Sequence, residues 1–194
     1  MNFYSYTDKA LKYLRRYYIR EFNRAKMQIR IDRLNVVGVT TGLYERIASE
    51  TERVFAKIAK WKYREICDED FIVDMWLSGF LCESNPLTGY IWKNDIDRKR
   101  QYFTESILSG ENIDDAAKKA LRYWYGSQRQ YADLVTDAAA IEGFQKLKVK
   151  FVEWVTAEDE KVCAVCNGRN GKIYPVRNVP RKPHYNCRCY LRRV

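Results

Sequence analysis

The sequence lacks several features that would indicate particular classes of protein. It contains 1 histidine in 194 residues, which leaves few options for a serine or cysteine hydrolase that needs a histidine base. No window approaches the ~18 consecutive apolar residues of a membrane span. The N-terminus, Met1 to Asp8, has no charged segment followed by an apolar run, and a secretory signal is not expected. A glycine-rich phosphate loop with its lysine and serine or threonine is absent.

Charge is abundant and unevenly distributed. Lys and Arg number 35 against 25 Asp and Glu, a net charge of +10. Met1 to Phe144 contain 23 basic and 21 acidic residues, a net of +2, whereas Gln145 to Val194 contain 12 and 4, a net of +8. This composition break predicts a boundary near residue 145. A basic excess of this size favours an acidic partner, with nucleic acid as the first candidate and a merely solvated basic surface as the alternative.

The basic excess continues to the C-terminus. From Asn167 onward the sequence contains basic residues and no acidic ones. These residues are candidates for non-specific electrostatic binding of double-stranded DNA: Arg169, Lys172, Arg177, Arg181, Lys182, Arg188, Arg192 and Arg193.

Residues 1–145 have the pattern of a helical body, with 1–80 as an extended helical arm and 81–145 as a second helical part. Apolar residues three and four apart predict the first helix, namely Leu11, Leu14, Tyr18, Phe22, Ala25 and Ile29. Thr7 or Asp8 is its expected N-cap. The arginines flanking this stripe could follow a phosphate backbone, but we interpret them as a solvated face: Arg15, Arg16, Arg20, Arg24 and Arg30.

Glycines and capping residues predict the later helix boundaries. Gly38 and Gly42 are expected to break the first two helices apart. Asn94 is expected to cap a helix that Gly110 ends, and Asn112 or Asp114 to start another that ends near Gly126. A last helix is predicted to end near Gly143.

Residues 146–194 have the pattern of a small β-rich unit. Lys148–Val155 is rich in β-branched and aromatic residues and predicts a strand with Val149, Phe151 and Val155 on one side. Two shorter strands are expected at Lys172–Tyr174 and Arg188–Leu191. The fold class is therefore α+β, with a mainly helical N-terminal body and a small, zinc-stapled C-terminal unit.

Four of the six cysteines lie in this unit with the only histidine. Cys163 and Cys166 form one pair three residues apart, and His184 and Cys187 form a second pair with the same spacing. Two such chelating pairs joined by a loop are typical of a tetrahedral zinc site. The expected ligands are Cys163, Cys166, His184 and Cys187. Cys189 is the alternative, because Cys187 and Cys189 would point to opposite faces of an extended strand. Zinc binding can contribute on the order of 10 kcal/mol to a unit too small to be stable alone.

Other interpretations of this cluster remain open. The cysteines could form disulfides, which would require an oxidising compartment, or could pack together without a metal. Glu158 and Asp159 could supply a base to a catalytic zinc, but charged turn residues beside such a site are more often structural. The signature of a nucleobase deaminase is absent.

Three segments of this unit resemble the C-terminal signature of a known family. They are Trp154–Cys166, Gly171–Tyr174 and Pro183–Cys189. Together they are similar to the minor head, or head morphogenesis, proteins of tailed bacteriophages, the phage Mu protein F-like family. In that family an Asp precedes the first cysteine pair, and a Pro-x-His-x-x-Cys-Arg-Cys segment ends the unit. Here Pro183 directly precedes His184. The resemblance is specific over about residues 150–190 and looser over 85–144.

The resemblance implies a virion protein inside the head near the portal, made in the bacterial cytoplasm during assembly. Its implied partners are the portal protein, the major capsid or scaffolding protein, and packaged DNA, with no membrane. Its implied roles are head assembly and DNA packaging or ejection, without enzymatic activity. Some relatives carry an effector domain after the signature, which we do not expect here, because the sequence ends shortly after Cys189.

Two functions of other classes are the alternatives. One is a zinc-module regulator that binds nucleic acid, although no recognition helix follows the cysteine pair. The other is a zinc-dependent nuclease or transferase, which lacks an identifiable base or nucleophile.

Overall fold

A computed structural model describes residues 3–86, 88–157, 162–183, 187 and 189–194. The described residues form six α-helices and three strands in the order α1 to α5, β1, α6, β2, β3. The helices are α1 (Phe3–Ile31), α2 (Val36–Cys67), α3 (Val73–Cys82), α4 (Trp92–Leu108), α5 (Ile113–Lys146) and α6 (Ala164–Asn167). The strands are β1 (Phe151–Val155), β2 (Ile173–Pro175) and β3 (Tyr190–Arg193). The predicted α+β class is confirmed. No described helix is both long and apolar enough to cross a membrane.

The break between the first two helices lies at Asp32, not at the glycines. Asp32 accepts a hydrogen bond from the amide of Leu34 at 3.1 Å and starts a 3-10 turn, Arg33–Asn35. An aspartate side chain that bonds the backbone in this way competes with the helix. The prediction of a break at Gly38 and Gly42 is wrong, because α2 continues through both. A helical glycine costs only about 1 kcal/mol, which burial of the following apolar residues can outweigh.

Some of the other helix ends agree with the prediction and others differ from it. Gly110, at φ 90°, follows α4 as predicted, and Asn112 accepts a hydrogen bond from the amide of Asp114 at 2.9 Å at the start of α5. Gly126 does not end a helix, since α5 continues to Lys146. The N-caps predicted at Thr7 or Asp8 and at Asn94 are wrong, because α1 includes Phe3 and α4 begins at Trp92.

The chain divides into two compact units. The first consists of Met1–Phe55 and Ser78–Gln128. Its core is aromatic: the rings of Tyr18 and Tyr44 meet that of Trp124 edge to face, at centroid distances of 6.0 and 5.5 Å. Beside Trp124, the fully buried ammonium of Lys99 pairs with the carboxylate of Asp95. Side chains from α1, α2, α4 and α5 therefore share one core.

The second unit consists of Ala56–Leu77 and Arg129–Val194, so the composition break near residue 145 lies within it. Its antiparallel sheet has the order β2-β1-β3. Val152 and Trp154 point into the core of this unit, whereas Phe151 is 48% exposed. The sequence grouped Val149, Phe151 and Val155 on one side of this strand, and the side that faces the core is the opposite one. Both sides carry apolar residues, so alternation alone did not distinguish them.

Two apolar clusters are packed within this second unit. Ala140 and Phe144 of α5 pack with Val152 of β1 and with Val176. The second cluster consists of Trp154, Cys166, Cys187 and Cys189. The second cluster packs the three cysteines against Trp154 of the sheet, and the first packs the sheet against α5.

Candidate metal centre

The first cysteine pair lies on a tight turn that folds back onto β1. The Sγ of Cys163 accepts a hydrogen bond from the amide of Cys166 at 3.3 Å and caps the short helix α6. The turn closes at Gly171, whose φ of 74° lies in the left-handed region that favours glycine. The amide of Gly171 donates to the carbonyl of Trp154, and the amide of Trp154 donates to the carbonyl of Lys172, each at 2.9 Å. Cys166 is therefore fixed relative to the strand.

Three thiols come together at this turn. The Sγ atoms of Cys166, Cys187 and Cys189 all lie within 4.8 Å of one another, with Cys166 and Cys187 3.5 Å apart. Two thiolates on a tetrahedral zinc, each at about 2.3 Å, would be about 3.8 Å apart. All three cysteines are buried. The cluster therefore has the chemistry and the spacing to hold a metal ion.

Only some of the predicted ligands belong to this cluster of three thiols. Cys166 and Cys187 lie in the cluster, and Cys163 is half-buried and packs against it. His184 lies outside the described residues. Cys189, the alternative ligand, joins the cluster because Cys187 and Cys189 precede β3, so the alternation of an extended strand does not separate them.

Burial controls the protonation of the thiols. It raises the pKa of Cys187 to about 11 and, together with contacts to the neighbouring thiols, also raises the pKa of Cys166. Thiolates would thus be unfavourable without a compensating positive charge, which a metal ion would supply. All six cysteines are free thiols, and 3.5 Å is far longer than the ~2.05 Å of a disulfide.

A partly buried ion pair lies close to the cluster. The ammonium of Lys182 is 3.0 Å from the carboxylate of Asp137 on α5, and the Lys182 side chain is only 8% exposed. Burial alone would lower the pKa of Lys182, but the charges of Asp137 and Asp133 outweigh it and raise that pKa. The charge of Lys182 favours the thiolate of Cys187, but burial outweighs it and the pKa of Cys187 is raised.

The candidate DNA-binding residues are not equivalent. Lys182 is neutralised by Asp137, and Arg192 forms an ion pair with Glu153 at 2.7 Å. The guanidinium of Arg169 lies 5.0 Å from the ring centroid of Trp154 and donates to the carbonyl of Arg181 at 2.8 Å. Exposed side chains remain at Lys172, Arg177, Arg181 and Arg193. Arg188, like Glu158 and Asp159, lies outside the described residues.

Two residues of this site were not predicted from the sequence. Asp137 lies on the helix before the β-rich unit, and no local pattern connects it with Lys182. Trp154 belongs to the resemblance, but its role as the apolar wall of the cluster depends on the side of β1 that faces the core.

Comparisons with known proteins identify no relative. No family model matches the chain, and neither a curated protein nor a solved structure is significantly similar to it.

Proposed function

We propose that this protein is a minor head protein of a tailed bacteriophage, with a C-terminal unit held together by a structural zinc ion. In this proposal it contacts the portal region and packaged DNA and assists head assembly, DNA packaging or ejection. The zinc ion would crosslink Cys166, Cys187 and Cys189 with a fourth ligand, either Cys163 or His184. Its role would be to stabilise the unit and not to catalyse a reaction.

The observation that carries this proposal is the packing of the residues on which the resemblance rests. Trp154 and Cys166 come from one segment of the signature and Cys187 and Cys189 from another. These four side chains form one buried cluster, against which Tyr174 of the remaining segment packs. A chance similarity between scattered segments would not require these side chains to meet. Their burial favours a structural metal site over an open catalytic one.

An exposed apolar surface in the first unit supports contact with another protein. Around the 3-10 turn, Ile31 is 82% exposed, Leu34 100% and Val37 54%. Beside them is a groove of about 460 Å³, lined in part by Val36 and Leu108. Adjacent exposed apolar residues of this kind typically mark interaction sites, and we assign this surface to the head or portal partner.

Genetic complementation tests the proposal. Deletion of the gene from the phage that encodes it should abolish DNA-filled heads, counted by electron microscopy, and the wild-type gene should restore them. Cys166→Ser should fail to restore them because the zinc site is lost. Leu34→Asp should also fail, although its thermal midpoint should be unchanged because Leu34 is fully exposed.

Cys82→Ser is the matched control, because Cys82 is exposed and lies outside the cluster. It should restore DNA-filled heads as well as the wild type does. Normal numbers of DNA-filled heads in the deletion phage would contradict the proposed function.

A further inference from the structure

The solvent-facing side of α1 carries a regular stripe of basic side chains. Lys9, Lys12, Arg16, Arg20 and Arg24 are all exposed and are three or four residues apart. At 100° per residue they fall on one face, opposite the buried stripe that includes Leu14 and Tyr18. The packing of α1 therefore presents its cations together, on the side that faces solvent.

Between Lys9 and Arg24, α1 contributes no acidic residue to this face. From Lys9 to Arg30, α1 contains eight basic residues and one acidic residue, Glu21. Glu21 is 5% exposed and forms an ion pair with Arg46, with 2.8 Å between the nitrogen and the oxygen. It also contacts Arg20, whose side chain remains 70% exposed. An ordinary solvated helix face mixes charges of both signs, and this one does not.

The remaining cations of the stripe are available for binding. Lys9, Lys12, Arg16 and Arg24 have no acidic partner within the part of the chain that the structure describes. By contrast, Lys26 and Arg30 near the end of α1 pair with Asp114, at 3.0 and 2.5 Å. The unpaired cations of the stripe thus lie between Lys9 and Arg24, with Arg20 among them in contact with Glu21.

We propose that this stripe binds the phosphate backbone of double-stranded DNA. From Lys9 to Arg24 the helix rises about 22 Å. With one phosphate per about 3.4 Å of axis on each strand, this length corresponds to about six successive phosphates. Three of the five cations are arginines, whose planar guanidinium groups bind phosphate oxygens in pairs.

The composition of the stripe favours DNA over other acidic partners. A protein interface would have an aromatic or aliphatic centre, whereas the exposed apolar residues flanking these cations are Ile19, at 40%, and Met27, at 55%. Tyr13 is also exposed, but its hydroxyl donates to Glu50. Binding to a membrane surface would need an exposed apolar helix face, and the apolar face of α1 is buried.

This inference rests on the proposed function for its biological meaning, since it assigns the DNA contact of that proposal to a specific surface. The C-terminal unit offers fewer unpaired cations than its sequence predicts, because Lys182 and Arg192 are paired with acidic residues. The principal DNA contact would therefore lie on α1.

Fluorescence anisotropy with a labelled 20-base-pair duplex, measured over a series of KCl concentrations, tests the proposal on the full-length protein. The test variant is Lys12→Gln/Arg16→Gln/Arg24→Gln. The matched control is Arg177→Gln/Arg181→Gln/Arg193→Gln, which removes the same charge from exposed positions of the other unit. Circular dichroism should show equal helicity in all three proteins.

In the wild type, the logarithm of the affinity should fall linearly with the logarithm of the salt concentration. The α1 variant should reduce this slope by about 2.7, at about 0.9 per contact, and weaken binding on the order of 100-fold at low salt. The control variant should change the slope by less than about 1. Polyglutamate should compete far less well than unlabelled duplex.

Three outcomes would overturn the inference. If only the control variant reduces the slope, the contact lies on the C-terminal unit, and the proposed function keeps its DNA contact. If polyglutamate competes as well as duplex, the partner is an acidic protein. If the wild type shows no salt-dependent binding, the DNA contact of the proposed function fails as well.

Discussion

Lys182 and Asp137 form a partly buried ion pair, 3.0 Å from ammonium to carboxylate, between the segment after β2 and helix α5. Lys182 precedes Cys187 by five residues in the sequence, so the pair anchors the chain close to one of the thiols of the cluster. The positive charge of Lys182 also favours the thiolate of Cys187 and so opposes the effect of burial, which raises the pKa of that thiol. The pair therefore links the packing of α5 to the geometry of the candidate metal centre.

Removal of Lys182 should destabilise the protein. Lys182→Met leaves the carboxylate of Asp137 without its partner, and we expect the free energy of unfolding in urea to fall by about 1.5 kcal/mol, less than for a fully buried pair because that side chain is 23% exposed. Lys182→Met/Asp137→Leu should recover most of this loss, because no unpaired charge remains. Lys172→Met, at an exposed position, should change stability by less than about 0.5 kcal/mol. Equal stability of Lys182→Met and the wild type would show that the pair contributes nothing.

Metal analysis should find about one zinc ion per chain in the purified protein. Cys166→Ser, Cys187→Ser and Cys189→Ser should each remove it, because each takes one thiolate from the cluster. Whichever of Cys163→Ser and His184→Ala also removes zinc identifies the fourth ligand. Cys67→Ser should retain the metal, since Cys67 donates to the carbonyl of Tyr63 away from the cluster. A native protein without zinc would contradict the metal site and leave the resemblance untouched.

Zinc affinity should rise with pH. Because burial raises the pKa of Cys187 to about 11, the thiol is protonated near neutral pH and must release its proton on binding. Each released proton contributes about a tenfold gain in affinity per pH unit, measurable between pH 6.5 and 7.5 by competition with a chromophoric chelator. An affinity independent of pH, after correction for the chelator, would argue against binding through these thiols.

The metal-free protein should respond to pH in the opposite direction. The raised pKa means that the folded state keeps a proton that the unfolded thiol loses near its ordinary value of 9.0. This contribution to stability is full below about pH 9 and is lost as the pH rises towards 11. Urea unfolding at pH 8 and pH 10, compared with Cys187→Ser, measures it.

Two glycines of α5 should respond to alanine with opposite signs. At Gly126 an added Cβ meets no described atom within 4 Å, so Gly126→Ala should raise the free energy of unfolding by about 1 kcal/mol. At Gly143 the Cβ would lie 2.9 Å from Cγ2 and 3.0 Å from Cβ of Ile66. Gly143→Ala should therefore lower stability by about 1 kcal/mol, the crowding exceeding the gain in helix propensity. A gain in stability at Gly143 would show that Ile66 moves at little cost.

Local chemistry predicted some of these features well. The apolar stripe of α1 is a periodic signal, and its residues are buried as that period requires. Asn112 caps α5 because its side chain bonds the backbone only two residues away. The prediction of helix ends at Gly38, Gly42 and Gly126 is wrong, because burial of apolar residues along α2 and α5 outweighs the small helix-propensity penalty of each glycine.

The sequence by itself determined the helical body, the short β-rich unit and the two cysteine pairs, because each depends on residues within a few positions of one another. Only the tertiary structure decided which thiols meet, which side of β1 is buried and which cations are neutralised. Cys189 joins Cys166, and Lys182 pairs with Asp137, through contacts between segments distant in the sequence. Likewise, only the structure shows that Glu21, the one acidic residue of α1 between Lys9 and Arg30, is buried and paired with Arg46. Such pairings depend on packing between elements, for which a linear pattern carries no signal.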